Sequence, residues 1–400
     1  MAELIPRTTY LETLWRNKDM DTIKVVSGVR RSGKSTLLKM FVDRLHEEGI
    51  GDDRIHVYNF EDPNFDALRD ANELYRTIQR QLVADEQNYI ILDEIQWVEH
   101  FEKAVDGLFI LPNTDIYITG SNAYFMSGEL ATYLTGRYFE IKIYPLSFRE
   151  FMSSHEELTL EQGFERYMFG TLPYFTKYDN QSDALSYLVG VYNTILLKDV
   201  VQRLEIRDVD TLQRIMKVLV SSVGSIVSIA KITNTLKSDG NSISDKTVER
   251  YVTGIVDSLL MYRAPRYDDS GRKYLKSRDK FYLADPGMRR IIAGNRPGDL
   301  GHTLENIIFL ELLRRDYNVY VGELDDRTEV DFVAVDKEGK KLYVQVSLTT
   351  LDENTLKREL HPLEKIADNY PKLLLTLDTI EREASYGGIQ KMNALDWLMN

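Results

Sequence analysis

The sequence predicts an α/β fold that begins with a parallel sheet covered by helices on both faces. Short apolar, β-branched segments are typical of buried strands, and segments with helical spacing separate them as far as residue 148. Such alternation indicates a parallel three-layer sheet, whose ligands bind at the carboxyl ends of the strands. The expected strands are 23–27, 55–60, 89–94, 116–119 and 139–143.

A glycine-rich loop follows the first expected strand. Residues 28–36 read GVRRSGKST, which fits G-x-x-x-x-G-K-[ST], and a helical segment comes next. Backbone N–H groups of such a loop bind phosphate together with the N-terminal end of the helix. The pattern therefore predicts a P-loop NTPase domain; the alternative is a surface glycine turn. The expected nucleotide-binding residues are Gly28, Arg30, Arg31, Ser32, Gly33, Lys34, Ser35 and Thr36.

Within this loop, two side chains have distinct expected roles. Lys34 would reach the β- and γ-phosphates, and Ser35 would ligate Mg²⁺. We expect ATP rather than GTP, because the guanine-reading pattern Asn-Lys-x-Asp is missing: residues 17–20 read NKDM and precede the loop.

Two carboxylates close the third expected strand. Asp93 could hold Mg²⁺ through water, and Glu94 could polarise the attacking water as a catalytic residue. The alternative is a buried strand with a solvated acidic end.

Two further polar residues are candidates for catalysis. Asn122 follows the fourth strand and could bind the γ-phosphate or its water, although a plain turn fits the same residues. Arg137 precedes the fifth strand and could stabilise transition-state charge, in its own chain or in a neighbouring copy. The alternative for Arg137 is an ordinary surface cation.

Composition excludes several classes of protein. The 400 residues include no cysteine, which excludes disulfides, thiolate zinc sites and cysteine nucleophiles. A net charge of −13 argues against non-specific nucleic-acid binding by the whole surface, while a local basic patch remains open. The sequence shows no signal-peptide pattern and no run of 18 apolar residues, so we expect a cytoplasmic protein without a membrane partner.

The chain after the N-terminal domain (1–148) divides into three predicted segments. Residues 149–208 are helical and aromatic, and we expect a lid or connector. Residues 209–292 predict a winged helix-turn-helix: two helices, then strands 261–264 and 280–283 around a charged hairpin. A glycine-rich linker, 293–301, precedes a small α/β domain at 302–400.

The charged hairpin is a candidate DNA contact. It carries the cations Arg272, Lys273, Lys276, Arg278 and Lys280. The helix before it mixes Lys246 and Arg250 with Asp245, Glu249 and Asp257, which is unlike a DNA-reading face. Packing, or association with a protein partner or a second copy, is the alternative.

Polar residues at strand ends mark a second candidate site near the C terminus. Glu305 lies on an expected helix, Asp331 on one strand, and Gln345 and Ser347 on the next. A helix-borne Glu with a strand Asp is typical of some Mg²⁺-dependent nucleases. The alternative is a solvated strand end.

Several segments along the chain carry a resemblance to a known family: 28–36, 92–94, 119–122, 134–137, 144–151, 170–173 and 198–201. Over nearly its whole length, the chain resembles the bacterial and archaeal AAA+-type ATPases that carry a C-terminal domain of unknown function, DUF4143. The resemblance implies an ATPase core, a winged helix and a restriction-endonuclease-like end domain.

The end domain departs from the nuclease motif, which has Asp followed by Glu-x-Lys. Gln345 brings no charge, and Ser347 cannot replace the lysine that orients water; Lys357 or Arg358 on the next helix could substitute. We therefore expect a degenerate, non-catalytic nuclease-like domain.

These observations favour an ATP- and Mg²⁺-dependent ATPase that uses hydrolysis as a conformational switch for its C-terminal domains. The alternatives are a low-turnover, nucleotide-regulated protein that binds DNA or protein, and an ATP-fuelled nuclease.

Overall fold

The computed structural model describes residues 4–121, 134, 136–240, 243–267, 279–294, 298–324 and 328–400. The chain divides into two compact units. The first comprises Met1–Pro145 with Asp257–Leu259, and the second comprises Leu146–Val256 with Leu260–Asn400.

The first unit is built on a sheet of five parallel strands in the order β2-β3-β4-β1-β5. The strands are β1 (Ile23–Ser27), β2 (Ile55–Asn59), β3 (Asn88–Asp93), β4 (Thr114–Gly120) and β5 (Tyr138–Lys142). This confirms the predicted parallel α/β fold.

Helices cover both faces of this sheet, because its strands carry apolar side chains on both sides. Ile23 and Val25 belong to one buried cluster, which includes residues of α3 and α4, whereas Val26 belongs to a second cluster with residues of α1 and α2. This period-2 division is the pattern of a fully covered parallel sheet. The helices are α1 (Thr8–Arg16), α2 (Lys34–Glu47), α3 (Ala71–Gln81) and α4 (Phe101–Phe109).

The second unit begins with helices. Capping boxes start the first two, from Ser147 with Glu150 and from Thr159 with Gln162. By length and composition alone, the helical stretch Gln181–Gln202 would suffice to cross a membrane, a test that the core helix of a water-soluble domain also passes. The helices are α5 (Phe148–Met152), α6 (Leu160–Tyr167), α7 (Gln181–Thr194, continued by a π-helical segment Ile195–Gln202), α8 (Val209–Ser221), α9 (Ile229–Ser238), α10 (Asp245–Asp257) and α11 (Gly287–Ala293).

A mixed sheet of seven strands follows, in the order β13-β14-β12-β11-β10-β9-β7. A separate antiparallel pair, β6 with β8, lies where the hairpin strands were expected. The strands are β6 (Met261–Ala264), β7 (Arg266–Tyr267), β8 (Lys280–Leu283), β9 (Asn318–Glu323), β10 (Glu329–Val335), β11 (Lys341–Val346), β12 (Lys372–Thr376), β13 (Glu383–Tyr386) and β14 (Ile389–Asn393). The helices here are α12 (Asp299–Arg314), α13 (Glu353–Glu364) and α14 (Ala394–Met399).

Contacts join the two sides of the expected linker 293–301. Asn306 on α12 accepts a hydrogen bond from the backbone N–H of Leu283 (2.8 Å) and donates one to the Leu283 carbonyl oxygen (2.9 Å). Arg289 pairs with Asp299 at 2.7 Å. Both sides of the segment therefore belong to one compact unit, and the finer domain boundaries stay a prediction.

Candidate nucleotide-binding site

The backbone of the loop between β1 and α2 requires glycine at two positions. A Cβ atom at Gly28 would lie 2.3 Å from the Ile143 carbonyl oxygen, closer than real contacts allow. Gly33 has a φ of 100°, in the left-handed region that favours glycine, and α2 begins at the next residue. The first N–H groups of α2 have no acceptor within the helix, so this end of α2 suits an anion.

Arg7 supports the loop from outside the motif. Its guanidinium is buried and donates to the carbonyl oxygens of Ser32 (2.9 Å) and Tyr144 (2.7 Å). The loop is therefore tied to the segment after β5. No sequence signal points to Arg7, because it precedes the loop by more than twenty positions and belongs to no motif.

Lys34 points into the loop rather than towards solvent. Its Nζ donates to the carbonyl oxygens of Gly28 (3.0 Å) and Val29 (3.4 Å) and lies 3.7 Å from Glu94 Oε1. The hydroxyl of Ser32 is buried without a hydrogen-bond partner in the part of the chain that the structure describes. A buried ammonium group and an unsatisfied hydroxyl fit a phosphate ligand.

Asp93 ends β3 beside α2. Its Oδ1 accepts from the Thr119 hydroxyl (2.6 Å), which itself accepts from the Glu94 backbone N–H (2.8 Å), and its carboxylate is hydrogen-bonded to the Ser35 side chain. Burial raises the pKa of Asp93, while the bonds from Thr119 and Ser35 oppose the rise.

The Ser35 hydroxyl and the Asp93 carboxylate are hard oxygen donors of the kind that Mg²⁺ prefers. Across the described ranges, no group of three or more His, Cys, Asp or Glu residues is placed to hold a metal ion. A hydroxyl and one carboxylate fit a Mg²⁺ ion that is held mainly by substrate phosphates and water.

Glu94 is buried next to Asp93, with its backbone in the left-handed region (φ 54°). Its Oε1 faces Lys34, and its Oε2 accepts a hydrogen bond from Gln96 Nε2 at 2.5 Å. Burial alone would raise the pKa of Glu94, but Lys34, Gln96 and Arg30 more than offset this effect and lower it. The group is therefore ionised at neutral pH and can accept a proton.

Two predicted catalytic residues have different outcomes. Arg137 precedes β5, and its carbonyl oxygen accepts from Ile23 N at the start of β1 (2.8 Å), while its side chain pairs with Asp106. The phosphate loop follows the other end of β1, about 16 Å away for a five-residue strand. A role for Arg137 at the phosphates of its own chain is therefore wrong; a role in a neighbouring copy stays a prediction. Asn122 lies outside the described residues.

Two residues of the predicted degenerate nuclease site, Glu305 and Asp331, come together in the second unit around Lys280. Lys280 is 2% exposed, and its Nζ lies 2.9 Å from Glu305 Oε1 and 3.4 Å from Asp331 Oδ1; it also pairs with Glu329. Lys280 was expected to contact DNA together with the other hairpin cations, and this expectation is wrong, because Lys280 is buried in β8 beside α12. The other hairpin cations, Arg272, Lys273, Lys276 and Arg278, lie outside the described residues.

Gln345 and Ser347 have separate partners. Gln345 accepts from the backbone N–H of Asp331 (3.2 Å) and donates to Glu359 (2.9 Å), whereas the Ser347 hydroxyl donates to the Thr349 carbonyl oxygen (3.1 Å). The two proposed substitutes are engaged on α13: Lys357 pairs with Glu353, and Arg358 pairs with Glu359. Lys280, rather than either of them, is the cation beside Asp331.

The charge balance of this cluster depends on Lys280. Burial lowers the pKa of Lys280, but Asp331, Glu305 and Glu329 raise it more, so its ammonium stays charged. Burial and repulsion from Asp331 raise the pKa of Glu305 to about 7, against the opposing effects of Lys280 and Tyr282. An internal ammonium group thus lies among the acidic residues.

The fold and the loop define the first unit as a P-loop nucleotide-binding domain of the AAA type. Residues 20–152 match the family described as "AAA domain", and residues 160–299 match a domain of unknown function, DUF8612. The C-terminal match differs from DUF4143, so that part of the resemblance is not supported.

Whole-chain comparison identifies the family. The chain is 40% identical to an uncharacterized protein of Haemophilus influenzae, with 99% of each sequence covered. It therefore belongs to the same family as that protein. An uncharacterized protein of Methanocaldococcus jannaschii is 30% identical over 86% of this chain and 78% of its own length. Among solved structures, a Walker-type ATPase of Pyrococcus abyssi is similar with a TM-score of 0.49 and 15% identity, covering 72% of this chain and 96% of that one.

Proposed function

We propose that this protein binds ATP with Mg²⁺ and hydrolyses it between loop 28–36 and the end of β3. Lys34 and the loop N–H groups hold the phosphates, Ser35 and Asp93 hold the metal ion, and Glu94 orients water. The observation that carries the proposal is the buried Glu94 carboxylate, 3.7 Å from the lysine of the phosphate loop.

In the reaction, the oxygen of water forms a bond to the γ-phosphorus. The bond from that phosphorus to the β–γ bridging oxygen breaks, ADP leaves with the electron pair, and Glu94 accepts the water proton. Mg²⁺ supplies neutralisation of phosphate charge when it is bound. Lys34 exchanges the neutral carbonyls of Gly28 and Val29 for phosphate oxygens, which are stronger acceptors for an ammonium group.

Phosphate release and nucleotide binding by two variants test this function. Lys34→Ala should lose ATP binding, and Glu94→Gln should bind ATP but turn it over roughly a hundredfold or more slowly. Lys39→Ala removes an exposed lysine from the same helix and should match the wild type. Undiminished phosphate release from Lys34→Ala and Glu94→Gln would overturn the proposal.

The role of hydrolysis in this proposal is a conformational switch for the second unit. Nucleotide must break the contact between Lys34 and Glu94, which gives the site two arrangements. Hydrogen exchange of residues 146–400 in Glu94→Gln should differ between the ATP and ADP states. Identical exchange in both states would exclude the switch.

DNA is the proposed partner of the remaining hairpin cations. ATP turnover measured with and without DNA tests this, and reversing the charge of Lys273 and Lys276 should remove any stimulation. ATP turnover that DNA does not change would exclude DNA as the partner of these cations. Nuclease activity is not part of the proposal, because the ammonium of Lys280 lies among the acidic residues that would hold a nuclease metal ion.

A further inference from the structure

Gln96 holds the carboxylate of Glu94. It lies in the short 3₁₀ turn Ile95–Trp97 that follows β3 and Glu94. Its Nε2 lies 2.5 Å from Glu94 Oε2 and 3.4 Å from the Ser121 hydroxyl, just after β4. A carboxylate only accepts hydrogen bonds, so the NH₂ group of the amide must face Glu94. This contact fixes the orientation of the whole amide group.

The oxygen of the same amide is buried and unsatisfied. Gln96 Oε1 has no hydrogen-bond partner in the described part of the chain. Leaving a buried acceptor unpaired costs about 1–3 kcal/mol. The amide oxygen is thus available to a donor that arrives with the substrate, and water is such a donor.

The two oxygens of Glu94 have different neighbours. Gln96 holds Oε2, whereas Oε1 faces Lys34 at 3.7 Å. When Lys34 moves to the phosphates, Oε1 loses its cation while Oε2 stays fixed. The carboxylate, which is also hydrogen-bonded to the Ser121 side chain, is then oriented without its cation, as a proton acceptor for the attacking water requires.

We infer that Gln96 is the residue that positions Glu94 for hydrolysis, and that its amide oxygen accepts a second hydrogen bond from the attacking water. This inference rests on the proposed function. The water gives one proton to Glu94 Oε1 as its oxygen bonds to the γ-phosphorus and the bond to the bridging oxygen of ADP breaks. Gln96 takes up no proton; it orients the base and the water.

The test compares Gln96→Met, Gln96→Glu and Glu94→Gln in single-turnover ATP hydrolysis, with ATP affinity measured separately. Gln96→Met removes both polar groups at similar length, and we expect hydrolysis at least tenfold slower with ATP affinity within twofold of wild type. Gln96→Glu keeps an acceptor but places a carboxylate against Glu94, so it should not restore the rate. Gln79→Met, the same substitution on the exposed face of α3, is the matched control.

A double variant separates positioning from a structural effect. Combining Gln96→Met with Glu94→Gln should slow hydrolysis by less than the product of the two single losses, because Gln96 acts in part through Glu94.

The possible results distinguish a failure of this inference from a failure of the proposed function. If Glu94→Gln hydrolyses ATP at the wild-type rate, the proposed function fails. If Glu94→Gln is slow but Gln96→Met is not, only the inference fails. A double variant whose loss of rate equals the product of the two single losses would also overturn it.

Discussion

Lys34 Nζ lies 3.7 Å from Glu94 Oε1, and both side chains are buried. The lysine expected to bind phosphate thus contacts the carboxylate expected to activate water. Phosphate oxygens and Glu94 carry the same sign of charge and compete for one ammonium group. In the proposed function, nucleotide binding therefore releases Glu94 from Lys34, which would couple occupation of the site to the availability of the base.

This competition predicts tighter nucleotide binding when the Glu94 charge is removed. Glu94→Gln abolishes both the attraction to Lys34 and the repulsion of phosphate, so the Kd for ATP should fall roughly three- to tenfold, as expected for charge interactions at these distances. Calorimetry at neutral pH measures it. Glu61→Gln removes a half-exposed charge paired with Arg30 and should change the Kd less. Equal or weaker binding by Glu94→Gln would contradict the competition.

Arg7 is predicted to hold the phosphate loop in its binding conformation. Arg7→Ala leaves the Ser32 and Tyr144 carbonyl oxygens without this donor, and two hydrogen bonds from a buried charged group suggest a loss of about 3 kcal/mol in the unfolding free energy. Urea denaturation followed by tryptophan fluorescence measures this loss. In a Trp397→Phe background the signal comes from Trp15 and Trp97, which lie in the first unit.

The controls for Arg7 separate charge from geometry. Arg7→Lys keeps the charge but cannot span both carbonyls with one planar group, so it should recover little. Arg16→Ala, on the exposed face of α1, should leave stability unchanged. An Arg7→Ala protein as stable as the wild type, with unaltered ATP affinity, would show that the loop does not need Arg7.

The first unit could be predicted because each of its features is encoded by residues that are close together in the sequence. Apolar strands, the glycine loop and the acidic strand end each occupy a few consecutive residues, and the rule that parallel strands share a carboxyl edge brings Lys34 and Glu94 together. Arg137 does not fit this rule, since it precedes a strand rather than following one and lies at the edge of the sheet formed by the amino ends of the strands. Arg7 and Gln96 depend on contacts that no spacing rule encodes.

The second unit was harder to predict for physical reasons. Strands β13 and β14 have no strand signal in the sequence, because β13 is half exposed and β14 carries a buried lysine, so neither is an apolar run. Lys280 was misplaced because its neighbours in sequence are basic. Its environment is decided instead by β8, which buries it against carboxylates from α12 and β10. Long-range charge pairing of this kind leaves no local pattern.

Removing the buried ammonium group should destabilise the second unit. Lys280→Met leaves Glu305, Glu329 and Asp331 without their shared cation, and breaking a buried ion pair from one side costs about 3–5 kcal/mol. Urea unfolding followed by Trp397, with Trp15→Phe and Trp97→Phe in the background, measures it. Lys340→Met removes an exposed lysine from the same unit and should have little effect. A loss below about 1 kcal/mol for Lys280→Met would mean that the cluster is not held by this charge.

Glu305 should make the stability of the second unit fall as pH rises. Burial and Asp331 raise the pKa of Glu305 from 4.5 in the unfolded chain to about 7 in the folded one. The folded state binds this proton more tightly than the unfolded chain does. The contribution of Glu305 to stability is therefore greatest below pH 4.5 and is lost as the group ionises towards pH 7. The full change is about 3 kcal/mol, from about 1.4 kcal/mol per pKa unit.

Comparison of the wild type with Glu305→Gln isolates this contribution. Glutamine does not titrate, and the contributions of the other titrating groups to stability are the same in both proteins. The free energy of unfolding, followed by Trp397 at pH 4.5, 6 and 8, should decline more steeply in the wild type than in Glu305→Gln. Asp352→Asn is the control: Asp352 lies at the exposed N-cap of α13, and hydrogen bonds from Thr355 lower its pKa. Wild type and Asp352→Asn should therefore show the same pH dependence of stability near neutrality. Parallel curves for wild type and Glu305→Gln between pH 4.5 and 8 would show that Glu305 is ionised throughout, held so by Lys280.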